Sequence, residues 1–337
     1  MKDKILKIYL LIVTLVMTSV LVWIIPLNKD KNPFIIDLDF STDVDDVCAV
    51  RVADSLDKQG VIDLKAMMLC VDGENIVEAM DGLLDYDNMD NVSIGKSSKN
   101  LDIVDTSPYW DTLSMYNSAD TKREVEDSVK LYRQILDRSL NKVTIVTTGY
   151  VTNIAELLKS EPDEISRKTG AELVRDKVKA IYITGGAYPE GYDNNFFFLP
   201  EARDSIIYTL ENCEAPIYLI SSNNGAPFTC GGKLQALDTE RNDPVSRALD
   251  ATGFSDGRAA WDPFSVWVAA CGFEQTRTYT EKVNITIRPE DGYNIFEQTD
   301  TGKLYRVQRV DDNFDWYKTE LDELTLIGTD FESIGEQ

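Results

Sequence analysis

The chain has 337 residues and an ordinary apolar share of 43%, enough for one large domain or two modest ones with a buried core. Its 58 acidic side chains against 34 basic ones give a net charge of -24, which argues against sequence-independent binding to nucleic acid, where Lys and Arg must neutralise phosphates. The absence of histidine excludes a His-based zinc site, a Ser-His-Asp triad and a histidine general base. In chain order the first element is an apolar run from Ile8 to Ile25, preceded by Lys2, Lys4 and Lys7 and closed by Pro26. It is about as long as a bilayer span. It ends in the bulky Val22, Trp23 and Ile24, and no small-residue cleavage site follows. Residues 1–30 are therefore read as a signal anchor and short linker, a single-pass transmembrane helix with a cytoplasmic N-terminus. That places the body, 31–337, outside the cell membrane; cleavage of the segment would make it secreted.

The body alternates short β-rich runs with amphipathic helical patterns. Strands are predicted at 34–38, 64–70, 92–95, 143–147, 179–184 and 217–221, and helices at 44–56, 76–84, 123–140, 153–158 and 201–210. This alternation predicts an α/β fold, a mostly parallel central sheet with helices on both faces. Residues 97–107 read as a polar loop, and 283–287 with 304–310 as an added hairpin at the end of a single domain. The five cysteines are odd in number and widely spaced, so they form neither a disulfide framework nor a metal-spacing motif, although Cys213 and Cys230 have the option of pairing.

The densest chemistry lies where the first strand meets the first helix. Asp37, Asp39, Asp43, Asp45 and Asp46 crowd a short stretch, and burying such acids together unpaired is costly. Either they splay into water or they hold a hard cation, for which oxygen donors favour Ca²⁺ or Mg²⁺. Asp43 or Asp45 would also serve as a helix cap, but capping needs one acid rather than five. In a parallel sheet, the carboxyl end of the first strand is where a ligand site is expected.

At these residues the chain resembles the inosine-uridine nucleoside hydrolase family. Asp37-Leu38-Asp39 with Asp43-Val44-Asp45-Asp46 is similar to its aspartate signature, and Thr147-Thr148-Gly149-Tyr150-Val151-Thr152-Asn153 to its Thr-Gly-x-Leu-Thr-Asn segment. Ile183-Thr184-Gly185-Gly186, Asn195 with Pro200-Glu201-Ala202, and Gly257-Arg258-Ala259-Ala260-Trp261-Asp262-Pro263 resemble three further elements in the same order. The resemblance implies a Ca²⁺ site built from Asp39, Asp46, Asp262 and the main-chain oxygen of Thr148. It also implies that Asp39 is the base taking a proton from a calcium-bound water, and that Asp45, Asp193 and Asn195 hold ribose hydroxyls. The implied substrate is a ribonucleoside or related ribosylated small molecule, and the implied assembly a dimer or tetramer.

The bland readings beside these are that Asn195 pins a loop, Thr152-Asn153 caps a helix, Trp261 is core and Asp262 is a cap. The chain also departs from the family pattern. The aspartate signature is two residues longer, with Phe40-Ser41 in place of a glycine-containing turn. Asp193 is shorter than the usual glutamate, and only Asp72 or Asn75 stands near an expected ribose-binding asparagine. Trp261 stands where the histidine that protonates the leaving group would be, which leaves Tyr188, Tyr192, water or the substrate for that task. A sugar-binding protein on the same scaffold, or a hydrolase of another glycosidic bond, are the alternatives to a nucleoside hydrolase.

Overall fold

After Asn32, the first strand, β1 (Asn32–Leu38), is apolar apart from Asp37, as expected of a parallel strand covered on both faces. Phe34, Ile36 and Leu38 face one core, while Ile35 faces a second core on the other side. The structure is a computed structural model and describes residues 32–41, 43–99, 101, 107–118 and 123–332. The predicted anchor, 1–30, and residues 100 and 102–106 of the polar loop lie outside these. Among the described residues no helix is long and apolar enough to cross a membrane.

After β1 the chain runs through α1 (Asp45–Lys58), β2 (Ile62–Leu69), α2 (Ile76–Tyr86), β3 (Ser93–Lys96), α3 (Trp110–Ser114) and β4 (Val125–Asp127). It continues with α4 (Ser128–Arg138), β5 (Val143–Thr147), α5 (Thr152–Lys159), α6 (Gly170–Lys177), β6 (Val178–Thr184), β7 (Glu190–Gly191), α7 (Asn194–Phe197) and α8 (Pro200–Asn212). Then follow β8 (Ile217–Ile220), β9 (Thr229–Cys230), α9 (Gly232–Leu237), α10 (Pro244–Ala251), β10 (Arg258–Ala259) and α11 (Trp261–Cys271). The last elements are β11 (Thr278–Ile287), β12 (Asn294–Gln298), β13 (Leu304–Arg309) and α12 (Phe314–Leu326).

An 11-stranded sheet has the order β4-β3-β2-β1-β5-β6-β8-β13-β11-β12-β7, and β9 with β10 forms a separate ribbon. Every pairing from β4 through β13 is parallel, and the three beyond are antiparallel. β1 is central, with β2 on one side and β5 on the other, so the strand order reverses at its carboxyl end. That is the point where a doubly wound sheet opens a crevice.

Three local expectations need correction. The helix predicted over 123–140 begins only at Ser128, because Asp127 accepts the Lys130 amide at 2.9 Å as its cap and Val125–Asp127 pairs with β3. The terminal hairpin is a three-strand meander: Val283 to Ile287 pair with β12, and β13 pairs with the earlier half of β11, residues 278–282. Period-two alternation marks strands but does not say which neighbour each will find. All five cysteines are free; the Cys213 thiol donates to Ala215 O and the Cys48 thiol to Cys230 O.

Helix α1, which carries Asp45 and Asp46, is anchored from within. Arg51 is fully buried on it and pairs with Asp87 at 3.0 Å and Asp243 at 2.9 Å, tying α1 to the end of α2 and the start of α10. Removing one member of a buried ion cluster strands the others without compensation. Arg51→Ala is expected to cost about 3–5 kcal/mol of stability by urea denaturation; an unchanged midpoint would show that the cluster contributes nothing.

Candidate functional site

The loop from β1 to α1 sets the first acids. Asp39 follows the strand directly, Phe40 adopts a left-handed backbone (φ 42°), and Val44 precedes the helix. A bulky residue is strained there unless its surroundings hold it. The Phe40 ring packs edge-on against Tyr109 at 5.4 Å, its carbonyl accepts the Trp110 indole N–H at 2.8 Å, and the Tyr109 hydroxyl donates to Asp43 O at 3.1 Å. This bracing from the start of α3 replaces the conformational freedom that a glycine turn would supply. Neither Asp43 nor Asp45 caps α1, since no side chain caps it. Asp45 and Asp46 instead occupy its first turn, where the helix dipole favours negative charge.

Two other elements converge on these acids. The loop after β5 presents Thr148, whose amide donates to Asp37 O at 2.8 Å, and Gly149 lies flush against Asp39. A β-carbon at Gly149 would come within 2.5 Å of the Asp39 nitrogen, so only glycine permits this approach. From the far end of the sequence, α11 brings Asp262, whose amide donates to Asp45 Oδ2 at 3.1 Å. Asp262 is therefore not a cap; Ala260 precedes the helix and Asp262 lies in its first turn.

All seven sequence-predicted site residues line one cleft of about 370 Å³: Asp39, Asp45, Asp46, Thr148, Asp193, Asn195 and Asp262. Carboxylate oxygens of Asp45, Asp46 and Asp262 lie within 4.8 Å of one another. Asp39 is within hydrogen-bond reach of Asp46, and Asp46 of Asp262. Burial, and then the neighbouring carboxylates, push Asp45, Asp46 and Asp262 well above the ordinary carboxylate range. Asp39 is half-buried at the cleft wall, and shielding from water raises it to about 6 against the amides and Asp46 that stabilise its charge. Among the described residues, Asp46 Oδ1 is sealed from solvent with no hydrogen-bond partner. Oxygen-only donors, mutual repulsion and an orphaned carboxylate oxygen together fit a hard divalent cation.

Asn195 both pins and lines the cleft. Its Nδ2 donates to Thr148 O at 2.8 Å and to Thr184 O at 3.0 Å, which uses both amide protons and leaves Oδ1 as the atom available to a ligand. Asp193 caps α7 by accepting the Asn195 amide at 3.1 Å, and burial raises it to about 6 despite that bond and one from Gly186. Beneath the site, burial lifts Asp37 to about 7, against hydrogen bonds from Tyr132 at 2.8 Å and Asn153 at 3.0 Å. Asn153 therefore does not cap α5; it braces the strand under the acids. Asp72 pairs with Lys96 at 2.6 Å and Asn75 bonds Asp111 at 3.0 Å, so neither joins the cleft.

Further residues complete the walls, among them Arg258, Tyr150 and Ser222, to which sequence reasoning gave no role. Asp43 is not in the acid cluster proper but pairs with Arg258 through two 2.7 Å hydrogen bonds. The Arg258 guanidinium lies over Phe254 at 4.6 Å and Trp261 at 4.7 Å. Trp261 is thus a cleft residue rather than core, and Tyr150, Thr184, Tyr192, Phe198 and Ser222 also line it. Arg258 and Tyr150 stood inside quoted motifs, and nothing local marked their roles.

These shifts have a sign. With no cation bound, the folded chain binds more protons near neutrality than the unfolded chain does. The stability the acids lend is complete below an unfolded carboxylate pKa of about 4. It is lost as pH rises through about 6 for Asp39 and Asp193 and about 7 for Asp37. In chelator, the urea midpoint is expected to fall between about pH 5.5 and about pH 8, and excess Ca²⁺ at the higher pH to restore it. A midpoint that ignores both pH and cation would contradict this electrostatic account.

No family model and no curated protein matches the chain. Among solved structures, it is similar to an inosine-uridine preferring nucleoside hydrolase from Bacillus anthracis, with 16% identity and a TM-score of 0.66, covering 87% of this chain and 99% of that one. It is likewise similar to a purine-preferring ribonucleoside hydrolase from Gardnerella vaginalis, with 20% identity and a TM-score of 0.64, covering 88% and 98%. A type III effector protein, XopQ, complexed with adenosine diphosphate ribose has 14% identity and a TM-score of 0.62, covering 89% and 93%. At these identities the likeness shows the fold, which is nucleoside hydrolase-like.

Proposed function

We propose that this chain is a Ca²⁺-dependent hydrolase of the N-glycosidic bond of a ribonucleoside or related ribosylated small molecule. The observation that carries the reading is the convergence, from four separate stretches of sequence, of all seven expected residues on one cleft around a carboxylate cluster that calls for a cation. The fold likeness supports the reaction class by analogy only.

Asp46, Asp262, Asp39 and the Thr148 carbonyl would hold the ion, with Asp45 close enough to share it. When bound, Ca²⁺ supplies a positive charge that makes water more acidic and orients a sugar diol. Asp39 then acts as general base, taking a proton from the water that attacks the anomeric carbon as the bond to the aglycone breaks, the aglycone leaving with the bonding electron pair and taking up a proton from solvent water. A carboxyl held near 6 in the protein alone is ionised at neutral pH yet basic enough for the task. Asp45, Asp193 and the Oδ1 of Asn195 accept hydrogen bonds from ribose hydroxyls, and the surrounding negative charge stabilises an oxocarbenium-like transition state. The 1–30 segment would tether this chemistry to the outer face of the cell membrane.

A sugar-binding protein is the second reading, favoured by the absence of histidine. Ribose release by the full-length chain from uridine, inosine and ADP-ribose, with Ca²⁺ and then with chelator, separates the two. Chelator-sensitive release is expected, and Asp39→Asn should lower kcat by about 10²–10⁴-fold. Ribose binding without release from any compound would leave only the binder.

A further inference from the structure

A chain without histidine must use other donors where a ligand's lone pairs meet the cleft wall, and three phenols stand near enough to consider. Tyr188 does not line the cleft: the Arg306 guanidinium sits 3.2 Å over its ring, which also packs on Phe296. Tyr192 lines the mouth but is 51% exposed, and its hydroxyl is engaged with Asp291 at 2.9 Å and Arg288 at 3.3 Å. Tyr150 differs from both. Only 4% of it is exposed, it lines the cleft, and its hydroxyl makes no hydrogen bond among the described residues.

The position of Tyr150 is well defined. It follows Gly149, the residue that lies against Asp39, and its amide donates to the Cys70 sulfur. Its oxygen is not among the atoms sealed in the interior without a partner, a group that includes Thr148 Oγ1 and Trp261 Nε1. A buried tyrosine hydroxyl ordinarily finds a partner, and phenylalanine would fill the same volume without the need for one. A donor that lines the cleft with no partner among the described residues is free to bond a ligand there.

We propose that the Tyr150 hydroxyl is a substrate-contacting group, donating a hydrogen bond to an oxygen of the bound ribosyl ligand on the Asp39 side of the cleft. This rests on the reading of the cleft as a ribosyl site. The test is Tyr150→Phe in the full-length chain, read by D-ribose binding in Ca²⁺ and by kcat/KM on uridine and on p-nitrophenyl ribofuranoside. D-ribose affinity and kcat/KM on both substrates are expected to fall by about tenfold, the scale of one hydrogen bond. Ca²⁺ affinity and melting temperature should be unchanged. Wild-type values for ribose binding and turnover would overturn the proposal, as would a loss confined to uridine, which would move the hydroxyl to the leaving group. If the wild type binds D-ribose but releases none from any compound, the hydrolase reading fails and the ribose affinities alone decide for or against Tyr150. If it neither binds nor hydrolyses, the ribosyl reading is wrong and the inference falls with it.

Discussion

Asp39, Asp45, Asp46 and Asp262 share one shielded volume at the carboxyl end of β1, and each additional ionised member raises the cost of the next. Two like charges about 4 Å apart repel by about 4 kcal/mol at a protein-like dielectric, so four cannot be ionised there without a compensating cation. Much of the neighbouring structure works against that repulsion. Arg51 clamps the back of α1 to Asp87 and Asp243, Tyr132 and Asn153 satisfy Asp37 below, and Arg258 withdraws Asp43 from the cluster. Trp110 and Tyr109 hold the loop that turns the chain from Asp39 toward Asp45. The acids are thus kept together by the neighbours that surround them, which is what a preorganised cation site requires.

Much of this was legible in the sequence because it is local. The strand over 143–147 has the ends the pattern indicates, and β1, β2, β3, β6 and β8 fall within two residues of their expected bounds, because apolar β-branched runs between polar segments leave few alternatives. The acids of the first turn were visible for the same reason. What escaped depends on distance along the chain. Arg258 reaches Asp43 across 215 positions, and β12 takes the place in the sheet that alternation alone would offer to β13. Phe40 in a left-handed turn was illegible too, since only tertiary bracing by Tyr109 and Trp110 permits it. Asn153 reads as a cap from its neighbours in sequence and becomes a brace only once β1 lies beneath it.

The scaffold and its cleft carry different weights of inference. A fold of this kind hosts chemistry at the crevice beside its central strand, but which chemistry depends on the side chains there. In this chain the cleft lining is rich in carboxylate and carbonyl oxygens, and Trp261, Arg258, Tyr192 and Phe198 add aromatic surfaces and one cation to it. The meander of β11, β12 and β13 holds the segment after β6, with the Asn294 side chain bonding both the amide and carbonyl of Ala187 at 2.9 and 2.7 Å. On the proposed reading, selectivity for the departing group would lie in these aromatic residues rather than in the acid cluster.

The central claim is that the acid cluster is a cation site, and calorimetric titration of the full-length chain with Ca²⁺ after chelator treatment tests it most directly. One ion per chain is expected, with binding lost or severely weakened in Asp262→Asn and retained in Asp72→Asn, whose carboxylate is committed to Lys96 outside the cleft. Absence of binding to the wild type, or equal binding by both variants, would contradict the account.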